Sequence, residues 1–208
     1  GSPGGEASSI IGVGAYISAE MSRVLYSQTT AGPNTAYQFS ARGPARNGDL
    51  GVDIMGPGGA YASLAYDELR KSQRYHGTSM SSPSVAGLGA LLVSAAKQTK
   101  VAYSPARIRA ALMNSARFVK GVEVFAQGAG LVQALPAWAH LQANQKQPAW
   151  DHFYDVKTNS NTFSAGPGLY LRGDIPVGKR EVRFDLAPKF AAKITAPERF
   201  NLEDDLVF

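Results

Sequence analysis

The sequence contains no cysteine. Disulfides, thiolate nucleophiles and cysteine-ligated zinc are therefore excluded, and the chain suits a reducing compartment without requiring one. Long apolar runs are missing too. The longest near-apolar stretch, Val85–Ala96, spans 12 residues and is broken by two glycines and a serine, short of the ~18 that a membrane helix needs. No basic segment leading into an apolar stretch and a small-residue cleavage site is visible. Charge is thin as well, at 18% of residues, against the usual ~25%. The net charge is +5, but its basic residues come in scattered ones and twos: Arg70/Lys71, Lys97, Lys100, Arg107/Arg109 and Lys179/Arg180. No long basic block and no RNP, KH or zinc-finger pattern accompanies them, which speaks for solvated faces and against a nucleic-acid partner. What is present is ordinary globular material, 208 residues of which 44% are hydrophobic and 10% aromatic. That length predicts one large domain or one and a half, with roughly 70% of the unfolded surface buried. Twenty-two glycines suggest elements pressed closely together.

Ser9–Ile17 reads as a buried strand, apolar throughout with small residues where a neighbour packs closely. Residues 25–48 are punctuated by Gly-Pro, Pro-Asn, Arg-Gly-Pro and Asn-Gly and read as loop. Val52–Met55 is a short strand stopped by Gly56-Pro57-Gly58-Gly59. A long helix is predicted from Ser79 to Lys97, with Pro83 in its first turn where a missing N–H costs little. Gly87 and Gly89 would each weaken that helix by ~1 kcal/mol, so they argue for a helix buried against a sheet. Ser104-Pro105 is an N-cap with proline at the first helical position, opening an amphipathic helix with Ile108, Ala111, Leu112 and Ser115 on one face. A third helix follows Gly128-Ala129-Gly130, from Leu131 to Leu141. The organisation expected is an α/β unit over 1–142, a polar linker over 143–150, and the opening of a β-rich unit over 151–208. The last rests on alternating stretches such as Leu169–Leu171 and Val182–Leu186. The chain ends after an acidic patch with no closing element, as a truncated unit would.

The informative segment is His76-Gly77-Thr78-Ser79-Met80-Ser81-Ser82-Pro83. A serine in the first turn of a helix sits among free backbone N–H groups and a partial positive charge. Those donors suit the oxyanion that forms when a hydroxyl attacks a carbonyl. Gly77 would let substrate backbone approach, and Thr78 would add a hydroxyl nearby. The same residues equally fit a capping serine with no chemistry.

Gly77-Thr78-Ser79-Met80-x-x-Pro83 followed by a long apolar helix resembles the nucleophile motif of the subtilisin-like serine peptidases. Phe39-Ser40-Ala41-Arg42-Gly43-Pro44 resembles that family's FSxRGP turn. Val52–Gly58 resembles its strand ending in APG, with Gly56 in place of the usual alanine. Gly1–Gly4 and the run to Ala15 resemble the segment that borders the primary specificity pocket and leads into a core strand. Within the family, Ser79–Pro83, Val124–Gly130 and Gly168–Arg172 most resemble the tripeptidyl-peptidase II type. The resemblance implies a parallel-sheet α/β fold and a Ser-His-Asp triad with an Asn side chain completing the oxyanion hole. It also implies a cytoplasmic exopeptidase that releases tripeptides from free N-termini, within a large homo-oligomer and without metal or cofactor. Carried over by position, Ser79 is the nucleophile and a backbone oxyanion donor, and Thr78 supports the oxyanion. Ser2, Pro3, Gly4 and Gly77 contact substrate. The family's Asp, His and Asn motifs lie N-terminal to the segment that matches here. The isolated chain is therefore expected to be inactive and to need that missing half as a partner.

A triad from the remaining residues fails on spacing. His76 stands three residues from Ser79, at a place where the family commonly has a small polar residue, and reads as a loop histidine. Asp53 reads as a strand residue preceding a glycine, and His140 and His152 as surface residues. Arg172-Gly173-Asp174 spells an adhesion tripeptide that chance accounts for. Two other readings stay open: a non-catalytic truncated homologue or structural half of a nicked protein, and a subtilisin-type endopeptidase.

Overall fold

The structure, a computed structural model, describes residues 10–30, 32–62, 73–146, 152–158, 166–170 and 182–190. Its elements run β1 (Val13–Ile17), α1 (Ala19–Tyr26), β2 (Thr35–Ala36), β3 (Ile54–Pro57), β4 (Gly59–Ala62) and β5 (Gln73–His76). They continue with α2 (Thr78–Thr99), α3 (Pro105–Asn114), α4 (Val124–Gln127), α5 (Ala134–Ala143), β6 (His152–Lys157) and β7 (Asp185–Phe190).

The central sheet has the order β2-β1-β3. β1 and β3 are parallel, with Val13 opposite Ile54 and Tyr16 opposite Pro57, and β2 closes antiparallel on Tyr16 and Ile17. Successive strand residues face opposite ways, and β3 uses this to build two cores. Ile54, fully buried, joins Val85, Leu92, Ala96, Ala111, Leu112 and Leu141 from α2, α3 and α5. Met55, also fully buried, faces the other way to Tyr16, Val119, Val122, Ala126 and Leu131. Helices thus cover one face, and the 119–131 segment with α4 covers the other. On that second face Gln127 is wholly buried, taking the Val119 N–H at 2.8 Å and donating to the Val119 and Val122 carbonyls.

Local signals explain several helix starts. Ser104 accepts from the Arg107 N–H at 3.2 Å with Pro105 next in line, so α3 begins where the sequence predicts. Ser18 caps α1 in the same way, accepting from the Met21 N–H at 3.0 Å. That helix, and the antiparallel hairpin of β4 and β5, lie where no element was predicted. α5 starts three residues later than expected and reaches Ala143, into the stretch read as linker. Arg107, buried, closes its C-terminal end by donating to the Asn144 and Gln145 carbonyls.

α2 spans 22 residues with a mean hydropathy of 1.2 over its most apolar window, so length and composition alone would permit a membrane span. One side of it instead packs on β1, β3 and α3. α2 lies against the sheet as expected, but Gly87 and Gly89 do not mark that contact. Its buried residues are Ser81, Val85, Leu92 and Ala96, a narrow stripe. Leu91 is 68% exposed. A β-carbon added to Gly87 or Gly89 would meet nothing within 4 Å. The close approach occurs elsewhere, at Gly56, where a β-carbon would lie 2.9 Å from the Ser81 carbonyl oxygen and 3.0 Å from Val85.

β6 and β7 pair antiparallel, His152 opposite Phe190 and Lys157 opposite Asp185. The strand predicted at Val182–Leu186 starts only at Asp185. Leu169 and Tyr170 lie in no strand, while Leu171, Arg172–Asp174 and the acidic patch lie outside the described residues.

Candidate active site

β4 and β5 bring the chain to the N-terminus of α2. Gly59 pairs with His76, the Gly77 N–H donates to the Gly58 carbonyl at 2.8 Å, and the Gly58 N–H donates to the Tyr16 carbonyl at 2.8 Å. A continuous backbone chain of bonds thus anchors the helix entry to the central sheet. Gly77 is the N-cap and carries no side chain to cap with. Thr78 and Ser79 are the first and second helical residues, so their N–H groups precede any i−4 carbonyl of the helix. Ser79 is exposed, and its hydroxyl has no hydrogen-bond partner among the described residues. A serine spent on capping would be bonded to a neighbouring N–H; this one is not. The capping reading is therefore set aside. What remains is a free hydroxyl beside two uncapped N–H groups at the positive end of a 22-residue helix.

The histidine nearest to Ser79 in sequence packs on other rings. His76 is exposed and in no contact with the Ser79 hydroxyl; its ring stands edge-on to Tyr26 at 6.1 Å and tilted against Phe39 at 5.7 Å. Phe39 is stacked on Tyr37 at 4.6 Å. The Tyr26 and Tyr37 hydroxyls are bonded to each other at 3.0 Å. Burial, with that bond and the charge of an ionised Tyr26 beside it, pushes the Tyr37 phenol well above its ordinary range. Arg74 lies over the Tyr26 ring at 4.9 Å and donates to the Leu25 carbonyl. His140 sits on α5 and His152 on β6.

Asp53 reads as a strand residue in the sequence but lies one residue before β3, where it serves the fold. Its carboxylate accepts from the Gly12 N–H at 2.7 Å and from Arg109 at 2.9 Å, and Arg109 also donates to the Ile10 carbonyl. Ser40 of the FSARGP turn is buried and accepts from the Ala15 N–H at 3.0 Å, which ties that turn to β1. Two residues beyond Ser79, the hydroxyl of Ser81 is fully buried with no partner among the described residues. Ser2, Pro3 and Gly4 lie outside the described residues, so of the predicted site residues the structure brings together Gly77, Thr78 and Ser79. Sequence reasoning missed the aromatic group around Phe39 and His76, because no local pattern joins residues 26, 37, 39 and 76.

Residues 2–154 match the Subtilase family. The chain belongs to that family. The subtilase is 39% identical to tripeptidyl-peptidase 2 of Oryza sativa subsp. japonica over 194 residues, 91% of this chain and 14% of that protein. It is 35% identical to tripeptidyl-peptidase 2 of Drosophila melanogaster over 182 residues, 88% of this chain and 12% of that protein. The crystal structure of tripeptidyl peptidase 2 superposes with a TM-score of 0.54 at 31% identity, over 74% of this chain and 10% of that one. Fervidolysin from Fervidobacterium pennivorans, at 20% identity and a TM-score of 0.53 over 79% of this chain and 26% of its own, supports the α/β subtilase fold alone. The subtilase thus spans 12–14% of the length of these two curated relatives.

Proposed function

We propose that this subtilase chain carries the nucleophile of a serine peptidase of the tripeptidyl-peptidase II type. The reading is carried by the exposed, unbonded Ser79 hydroxyl on an uncapped first helical turn, in a chain 39% identical to a tripeptidyl-peptidase 2 over 91% of its length. Ser79 Oγ attacks the scissile carbonyl, and the Ser79 N–H donates to the oxyanion that forms, with Thr78 in support. Collapse breaks the C–N bond, the proton goes to the leaving amine, and water hydrolyses the resulting ester. Ser2, Pro3, Gly4 and Gly77 contact the peptide on this reading. Release of tripeptides from free N-termini, a cytoplasmic location and a large homo-oligomer belong to the same reading, as does a β-rich unit from residue 151.

A serine hydroxyl needs a base, and the chain's three histidines are His76, His140 and His152. His76 is held by Phe39 and Tyr26, and the other two sit on α5 and β6. The base, its aspartate and an asparagine donor therefore come from an upstream segment of the parent protein, which also covers the open side of α2. Without that segment the 208-residue chain turns over no peptide.

The test is fluorophosphonate labelling of the full-length parent and of its Ser79→Ala variant, with hydrolysis of free and N-terminally blocked peptides. Label on Ser79, loss of both label and turnover in the variant, and tripeptides released only from free N-termini are expected. Label on another residue overturns the nucleophile, and cleavage within blocked peptides makes the enzyme an endopeptidase. Absence of label and turnover in the parent makes the chain a non-catalytic homologue.

A further inference from the structure

We infer that the Asn47-Gly48 turn is a docking socket in which the subtilase unit holds the segment that follows it, through the backbone of Gly166 and Gly168. The family match ends at residue 154, so the socket lies inside the matched unit and its occupant beyond it. The socket is independent of the role assigned to Ser79. Three observations carry it. The turn is prebuilt: the Ala45 N–H donates to the Asp49 carbonyl at 2.9 Å, the Gly48 N–H to the Ala45 carbonyl at 2.9 Å, and the Asp49 N–H to Asn47 Oδ1 at 3.1 Å. Those bonds hold Gly48 at φ +80°, a conformation that glycine takes at little steric cost. The contact is backbone on backbone. A β-carbon at Gly48 would run into the Gly168 backbone, one at Gly168 into the Gly48 carbonyl, and one at Gly166 into the Asn47 carbonyl. The occupant is tied down as well, since the Thr158 N–H donates to the Gly166 carbonyl at 2.8 Å and the Gly166 N–H to the Thr158 carbonyl at 3.3 Å.

Thr158 directly follows β6, so its bonds with Gly166 fasten the β6–β7 pair to the socket. Those two strands pack chiefly on each other. Burial separates this contact from a chance brush between loops. Thr158 is 1% and Asn47 7% exposed, and Gly166 is buried. Threonine and asparagine are mostly surface residues, and taking their polar groups out of water is costly unless they are bonded. Three glycines at one contact leave no side chain on either backbone, which lets the two stretches meet more closely than other residues permit. A single methyl group on either side then forces them apart. The turn runs on through buried Val52 to β3, so the occupant braces the loop that feeds the central sheet.

The experiment is hydrogen exchange, read by mass spectrometry, on the full-length parent protein and on its Gly168→Ala and Gly121→Ala variants. Gly168 has no positive φ, so alanine there adds the clash without backbone strain. Gly121 has φ +85° and nothing within 4 Å of an added β-carbon, so alanine there adds strain without a clash. In Gly168→Ala, exchange in peptides covering 45–50 and 152–158 is expected to quicken together by about tenfold, the order that overpacking a close contact gives. The α2 and α3 amides should keep their rates, which shows that the rest of the unit is folded. Gly48→Ala should quicken the same two segments, and adding Gly168→Ala to it should change them little further. Unchanged exchange in Gly168→Ala, quickening of only one of the two segments, or quickening spread equally over α2 and α3 overturns the socket. So does a Gly121→Ala variant that opens both segments to the same extent.

Discussion

Gly56 on β3 faces the carbonyl oxygen of Ser81 on α2 so closely that a β-carbon at position 56 would stand 2.9 Å from it. The obstacle is backbone of a long helix and cannot swing aside as a side-chain tip would. Gly56→Ala, the residue that the family's strand usually carries here, should therefore push the first turns of α2 away from the sheet. A cost of about 1–3 kcal/mol follows from overpacking of this kind. Denaturant titration of the variant measures it. Because Ser79 rides on the same turn, fluorophosphonate labelling in the full-length parent should slow as well. Unchanged stability and labelling would show that the helix entry yields freely.

Asp53 and Arg109 are 56 residues apart and meet at 2.9 Å, with the carboxylate also taking the Gly12 N–H at 2.7 Å. Their side chains are 17% and 31% exposed, so the pair is partly desolvated. Asp53→Ala leaves a backbone donor and a guanidinium without their acceptor, and a loss of about 1–3 kcal/mol is expected. Arg109→Ala should cost less, because its removal leaves the carboxylate bonded to Gly12. In a double-mutant cycle, coupling of at least ~0.5 kcal/mol marks a direct interaction. Asp53→Asn, once folded, should keep Ser79 labelling; loss of labelling in that variant would make Asp53 part of the catalytic machinery.

What the sequence disclosed was what neighbouring residues decide. Ser104-Pro105 writes the start of α3 in two positions, and the segment from Gly77 to Pro83 predicts both a helix and the hydroxyl at its entry. α1 was hidden because its capping Ser18 precedes only eight residues, followed closely by a stretch full of turn signals. The β4–β5 hairpin was hidden because Gly59–Ala62 and Gln73–His76 carry little strand propensity; it stands on cross-strand pairing, such as Ala60 with Tyr75, and on the bond from Gly77 to Gly58. Contacts across the fold left no local trace. The Asp53–Arg109 pair and the Phe39–His76 contact join residues whose spacing follows only from the folded path. Gly87 and Gly89 misled for a definite reason. Helix propensity says what a glycine costs, but not which side of the helix receives a neighbour.

Ser81 is buried to 0% exposure and its hydroxyl has no partner among the described residues. A buried hydroxyl left unsatisfied costs about 1–3 kcal/mol, and alanine is also the better helix former by a few tenths. Ser81→Ala should therefore raise the melting temperature, and the small volume lost should leave the contact with Gly56 intact. Ser82→Ala, on the exposed side of the same turn, serves as the control for propensity alone. A lower melting temperature in Ser81→Ala would show that the hydroxyl is satisfied in solution, by an enclosed water or by another part of the parent protein.

The open side of α2 offers a test whose sign depends on context. A β-carbon at Gly87 or Gly89 meets nothing within 4 Å, and both positions have ordinary helical neighbours along α2. In the 208-residue chain alone, Gly87→Ala and Gly89→Ala should each stabilise by up to ~1 kcal/mol, the difference in propensity between the two residues. In the full-length parent the proposed upstream segment lies against this side. Where that segment packs closely on the helix, the same methyl groups overpack it at about 1–3 kcal/mol. Thermal unfolding of both variants in both contexts reads the outcome directly. A gain in the short chain and a loss in the parent is the expected pattern. Equal gains in both would mean that nothing packs closely on this side of α2, and the segment supplying the base to Ser79 would then have to reach it by another route.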